Sequence, residues 1–268
     1  MQLKAAFLLS TTLALSSAAL AQTKAPEPDW TVTGNATLIS DYRFRGFTQT
    51  DFGPAFQGGF DVAHKSGFYV GNWNSNVLSG LFNGASLEMD FYGGYKGTVG
   101  GFSYDLGAIY YYYPRSGRAG LLAAPANPRL KFDNTEVYAG IGYGPVTAKL
   151  YYATQDYFNT AASFGAASST RGSTYLDLSY SQDFSGWVLG AHYGLLSLRN
   201  NAGLTDALGR PLGKNVSDYK LSVGRDVGGF MLTAAAVGTS KKNFFFTGQP
   251  GSLEAGKSSL LLSVGKTF

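Results

Sequence analysis

The chain has 268 residues, a formal charge of +4, 44% hydrophobic residues and no cysteine. Without cysteine there are no disulfides and no thiolate metal sites, and so slight a positive balance, with no basic tract, argues against a nucleic-acid partner. Thirty-six glycines, 18 tyrosines and 19 phenylalanines instead describe a chain built for strands and tight turns.

The N-terminus reads as a secretory leader. Lys4 lies in a short basic region, Ala5 to Leu15 is apolar, and Ala19-Leu20-Ala21 is an A-x-A cleavage pattern. Residues 1–21 are thus expected to be removed, leaving Gln22 first and a formal charge of +3, since only Lys4 is lost. The apolar run is too short to be a retained membrane helix. Residues 22–29, with Pro26 and Pro28, read as a lead-in, and 30–268 as one domain.

The domain alternates. Leu176, Leu178 and Tyr180 oppose Asp177, Ser179 and Ser181, and the same holds for Leu87-Met89-Phe91 against Glu88-Asp90-Tyr92. Twelve such segments are predicted: Trp30–Phe47, Pro54–Lys65, Phe68–Leu78, Ser86–Gly97, Phe102–Pro114, Asp133–Gly144, Pro145–Phe158, Gly172–Phe184, Trp187–Arg199, Asn215–Val227, Phe230–Lys242 and Gly256–Phe268. Tight glycine turns at Ser66-Gly67, Gly100-Gly101, Gly144-Pro145, Ser185-Gly186 and Gly228-Gly229 alternate with looser connections carrying Arg115, Arg118, Arg129, Arg171 and Arg210. Even strand number, short turns at one end and long loops at the other predict an all-β, up-and-down antiparallel barrel of the bacterial outer membrane. The short turns then face the periplasm, and the loop arginines are placed to meet lipopolysaccharide phosphates.

Parity along the strands predicts what faces the lumen. Asp41, Arg43 and Arg45 are expected at the pore mouth, with Tyr42 and Phe44 in the outer aromatic girdle. Further inside, Asp61, Glu88, Asp90, Asp105, Glu136, Asp177, Asp183, Asp218 and Asp226 face Lys149 and Lys220, with Tyr92, Tyr111, Tyr138, Tyr151 and Tyr175 narrowing the bore. An acidic wall favours cations or zwitterions. The same carboxylates could instead belong to a plug of ion pairs. His64 is expected outside by a turn and His192 inside; no serine and acid stand beside His192 by this pattern, so the chain is expected not to be an enzyme, a hydrolase being the least favoured alternative. No cofactor or metal is expected.

The run Ser40-Asp41-Tyr42-Arg43-Phe44-Arg45-Gly46 is followed by Gln57-Gly58-Gly59-Phe60-Asp61, Ser66-Gly67-Phe68-Tyr69, Trp73 and Glu88-Met89-Asp90-Phe91-Tyr92-Gly93-Gly94-Tyr95. Together with Tyr113-Pro114 and Glu136-Val137-Tyr138, it resembles the TorF family of porin-type proteobacterial proteins. The resemblance implies an outer-membrane barrel with a pore role; the residues themselves predict passive diffusion of small polar or cationic solutes, with a plugged barrel serving a structural, receptor or adhesion role through its loops as the alternative. At the C-terminus Phe268, with Val264, Leu262 and Leu260, fits the signal read by the barrel-assembly machinery, while Lys266 stands where an aromatic is commoner.

Overall fold

The computed structural model describes residues 28–117, 131–160, 168–200, 213–244 and 254–268. The expected leader, and Arg118, Arg129 and Arg210, lie outside the described residues. Among the described residues there are fourteen strands: β1 (Trp30–Ile39), β2 (Arg43–Phe44), β3 (Phe47–Thr48), β4 (Ala55–His64), β5 (Phe68–Asn76), β6 (Leu87–Val99), β7 (Phe102–Tyr112), β8 (Asn134–Tyr143), β9 (Val146–Ala153), β10 (Thr174–Phe184), β11 (Trp187–Ser197), β12 (Asn215–Val227), β13 (Phe230–Thr239) and β14 (Ser259–Thr267). Twelve of them close into one antiparallel barrel, each pairing with its chain neighbour, and β1 meets β14 to complete the ring. The seam is tied by Phe268 N–H donating to Gly34 O at 2.8 Å, with Gly34 N–H returning to Phe268 O at 3.2 Å. Closure leaves the ring no edge, so each of its twelve strands pairs on both sides.

The wall follows the alternation. Trp30, Phe68, Phe102, Tyr143, Phe184, Trp187, Phe230 and Phe268 are all exposed on the outside, at the end where the tight turns lie. Above them Val70, Leu106, Ile141, Leu150, Leu221, Leu260 and Leu262 continue an apolar outer face. Lys266 keeps to this face by resting its ammonium 4.8 Å from the Phe230 ring and 5.7 Å from that of Phe268. Its apolar stem lies along the wall while the charge sits at the barrel's edge among aromatics. The departure at this position is therefore accommodated locally.

The first strand is shorter than expected. Alternation suggested Trp30–Phe47, but β1 ends at Ile39, and β2 pairs with β3 as a separate two-stranded hairpin. The connection between β1 and β4 is thus a sixth long loop, and it folds inward. Ser185 and Gly186, at φ 55° and 86°, show how the opposite end is made: a two-residue turn with both residues left-handed, which matches the twist of the strands it joins.

Candidate functional site: the barrel interior

The inward loop, residues 40–53, crosses the long-loop half of the lumen. Its tip is Arg45-Gly46, at φ 48° and 84°, the geometry that closes a two-residue hairpin. Gly46 is obligatory there for a second reason, since a Cβ would overlap Thr239 on β13 and the Cβ of Asp218 on β12. Asp41 is the internal strut: its Oδ1 accepts from Thr48 Oγ1 at 2.6 Å and from Thr50 Oγ1 at 3.2 Å, and its Oδ2 takes the Arg43 Nε. Arg43 moors the loop to the start of β14, donating to the carbonyls of Ala255 and Lys257 at 3.0 Å and to Ser259 Oγ at 2.8 Å.

Arg45 anchors the centre. Its guanidinium grips Glu136 on β8 in a fork, Nη1 to Oε1 at 2.9 Å and Nη2 to Oε2 at 2.6 Å, and Nη1 also donates to the Tyr157 hydroxyl at 2.8 Å. Rings surround it, the nearest being Tyr175 at 4.1 Å. Burial opposes the charge, yet Glu136 first, then Tyr157 and Tyr111, hold the guanidinium above its ordinary pKa, so it stays cationic. A second inward piece, the turn Tyr157–Asn159 between β9 and β10, brings Phe158 to 5.4 Å from Phe44 and 5.1 Å from Tyr111.

Two expected positions are therefore corrected. Tyr42 and Phe44 do not join the outer girdle. Tyr42 is buried inside, its hydroxyl donating to Glu88 Oε1 at 3.2 Å, and Phe44 packs on the interior aromatics. The chain has left the wall at Ser40, and parity counted along a strand no longer assigns a face. Burial, then Glu88 and Asp90, push the Tyr42 phenol well above its ordinary pKa, which keeps it a donor.

Below this layer the wall carries paired charges. Asp61 accepts from Tyr92 at 2.7 Å. Asp105 receives Lys149 Nζ at 2.6 Å together with the Tyr69 hydroxyl. Asp177, Asp218 and His192 meet across β10, β11 and β12, with His192 Nε2 at 2.9 Å from Asp218 and Nδ1 at 3.3 Å from Asp177. Lys220 lies opposite His192 on β12, in the field of the same two carboxylates. Asp183 and Asp226 instead stand at tight turns, capping the N–H groups of Gly186 at 2.9 Å and Gly229 at 3.0 Å. His64 also ends its strand at a turn, its ring 4.5 Å from that of Trp30.

The expectation that His192 has no serine and acid beside it is overturned. Ser179 lies directly across from it, Oγ 3.3 Å from Nδ1. The register made this legible, because counting back from Phe184 opposite Trp187 puts Ser179 opposite His192. Proximity does not make a nucleophile, however. The Ser179 hydroxyl donates to Asp177 at 2.6 Å, and each ring nitrogen of His192 is taken up by a carboxylate, so neither is left to accept the serine proton. No group of three or more His, Cys, Asp or Glu side chains among the described residues is arranged to hold a metal ion.

The charges occupy one arc, β4 to β12. Opposite them, the inward positions on β13, β14 and β1 carry no charge: Thr33, Asn35, Thr37, Thr233, Ala235, Ser263 and Gly265 are partly accessible, whereas Val237 and Leu261 are buried. The lumen is thus packed at the long-loop half, and at the other half this arc presents partly accessible, uncharged side chains.

Among solved structures, the NanC porin matches with a TM-score of 0.50 at 9% identity, covering 88% of this chain and 98% of that one. The KdgM porin, in complex with disordered oligogalacturonate, matches at 0.47 and 8% identity, covering 89% and 98%. The first of these is a likeness of fold. No curated protein matches the chain. A family model described as a bacterial protein of unknown function matches residues 23–268, nearly the whole sequence, and the chain belongs to that family, Gcw_chp.

Proposed function

We propose that this barrel sits in the outer membrane of a Gram-negative bacterium and passes small polar or cationic solutes by passive diffusion. The observation that carries the reading is the inside-out wall: apolar and aromatic outside, charged and hydrogen-bonded inside, with uncharged, partly accessible inward residues on β13, β14 and β1. An outer face of this kind is stable only against lipid. Asp61, Glu88, Asp90, Asp105, Glu136, Asp177 and Asp218 outnumber the inward bases Arg45, Lys96, Lys149, His192 and Lys220, which favours cations. In this reading Arg45, Glu88, Asp90 and Glu136 set the constriction, Asp41 and Arg43 hold the loop that forms it, and Lys149 and Lys220 face the passage. The resemblance to the TorF family supports the same conclusion. Residues 1–21 serve as the export leader, Phe268 engages the assembly machinery, and Arg115 and Arg171 contact lipopolysaccharide.

The buried loop favours one competing reading, a closed barrel that acts through its outer loops. Osmotic swelling of proteoliposomes separates the two. The channel reading predicts swelling in small sugars and faster swelling in small amines; no swelling with correctly folded protein would support the closed barrel.

A further inference from the structure

Polar atoms without partners gather on one part of the interior wall. Glu88 and Asp90 face inward two residues apart on β6, Tyr111 stands opposite Asp90, and Asn134 on β8 stands opposite Tyr111. Glu88 and Asn134 are fully buried, and Asp90 is 6% exposed. The Glu88 carboxyl receives the hydroxyls of Tyr42, at Oε1, and Tyr113, but Glu88 Oε2, Asp90 Oδ1 and both amide atoms of Asn134 have no hydrogen-bond partner. Arg45, which reaches this region, commits both amino groups to Glu136 and Tyr157. Native interiors rarely leave such groups unsatisfied, and a buried carboxylate without a cation is especially costly.

We propose that Glu88, Asp90 and Asn134 form a binding site for the primary ammonium group of a small solute. Three free oxygen acceptors match the three N–H donors of an ammonium, as they would not match a planar guanidinium. The rings of Tyr42, Tyr111 and Tyr113 stand around these groups, and Trp73 lies 5.4 Å from Tyr42, a setting that favours an organic cation through cation–π attraction. The Asn134 amide nitrogen remains to donate to a second oxygen on the solute. The site names the solute class of the proposed channel, and it rests on that reading only for how the amine arrives.

The test uses the folded full-length mature chain in detergent with Trp30→Phe and Trp187→Phe, so that Trp73 is the sole reporter of the three tryptophans. Methylammonium chloride is titrated against tetramethylammonium chloride at equal ionic strength, following Trp73 emission and the heat-unfolding midpoint. Saturable emission change and a raised midpoint with methylammonium alone are expected, with affinity at least tenfold weaker in Glu88→Gln and Asp90→Asn. Both substitutions are isosteric and remove buried charge, so the barrel should still fold. Identical responses to the two salts, unchanged affinity in both variants, or saturation by potassium or calcium in place of methylammonium would overturn the site. Binding in a barrel that does not conduct would uphold the site and remove only the channel; conduction without binding would do the reverse.

Discussion

At the scale of single residues, the interior is decided by where charge is buried and what answers it. Arg45 and Glu136 are both buried, and the fork between them holds the inward loop to the opposite wall. Removing one partner leaves the other uncompensated, so Arg45→Met is expected to destabilise the barrel by about 3–5 kcal/mol. The double variant Arg45→Met/Glu136→Leu should recover most of that loss, because an apolar pair of similar volume avoids the desolvation penalty. Urea unfolding of the three proteins in the same detergent measures both quantities. Tyr42→Phe is a smaller change: it withdraws the donor to Glu88 Oε1 and should cost about 1–3 kcal/mol, more than an exposed tyrosine would.

At the scale of elements, the twelve wall strands were legible in the sequence because each has a lipid-type face and a wet face, and period two permits no other reading. The loop at 40–53 was not. Tyr42-Arg43-Phe44-Arg45 alternates ring and charge as a wall strand would, and the same pattern serves a free hairpin whose two faces meet different parts of an interior. What distinguishes them is the partner of each side chain, Glu88 for Tyr42 and Glu136 for Arg45, which sequence spacing does not supply. The Arg45-Gly46 pair was the available signal, a turn dipeptide in the middle of an apparent strand. It also gives the cleanest perturbation of the element. Gly46→Val adds no charge but collides with Thr239 and Asp218, so it should expel the hairpin tip while leaving β1–β14 pairing intact. Larger single-channel currents with unchanged heat-modifiable mobility would be the result; unchanged currents would mean that the tip does not limit passage. On the outer face, Leu221 at 65% exposure lies near the middle of β12, and Leu221→Arg should cost about 2–4 kcal/mol of folding free energy in bilayers. A soluble-type surface would register almost nothing.

At the scale of the whole molecule, closure and charge arrangement combine into one account. The ring removes every edge of the twelve wall strands, the outer face fits lipid, and the inward loop converts a modest bore into a layered interior, packed at the long-loop half and uncharged along β13, β14 and β1. The charged arc from β4 to β12 faces that uncharged side, so in the proposed channel a solute would be exposed mainly to carboxylates held by Tyr, Lys and His partners. Selectivity would then come from the net acidic field more than from any one side chain. The direct measurement is single-channel conductance of the refolded mature chain, Gln22 to Phe268, in a planar bilayer under a salt gradient. The account predicts small ohmic steps with cation-positive reversal potentials, growing in amplitude in Gly46→Val. Silence from both proteins, each shown to be folded by its heat-modifiable mobility, would contradict it.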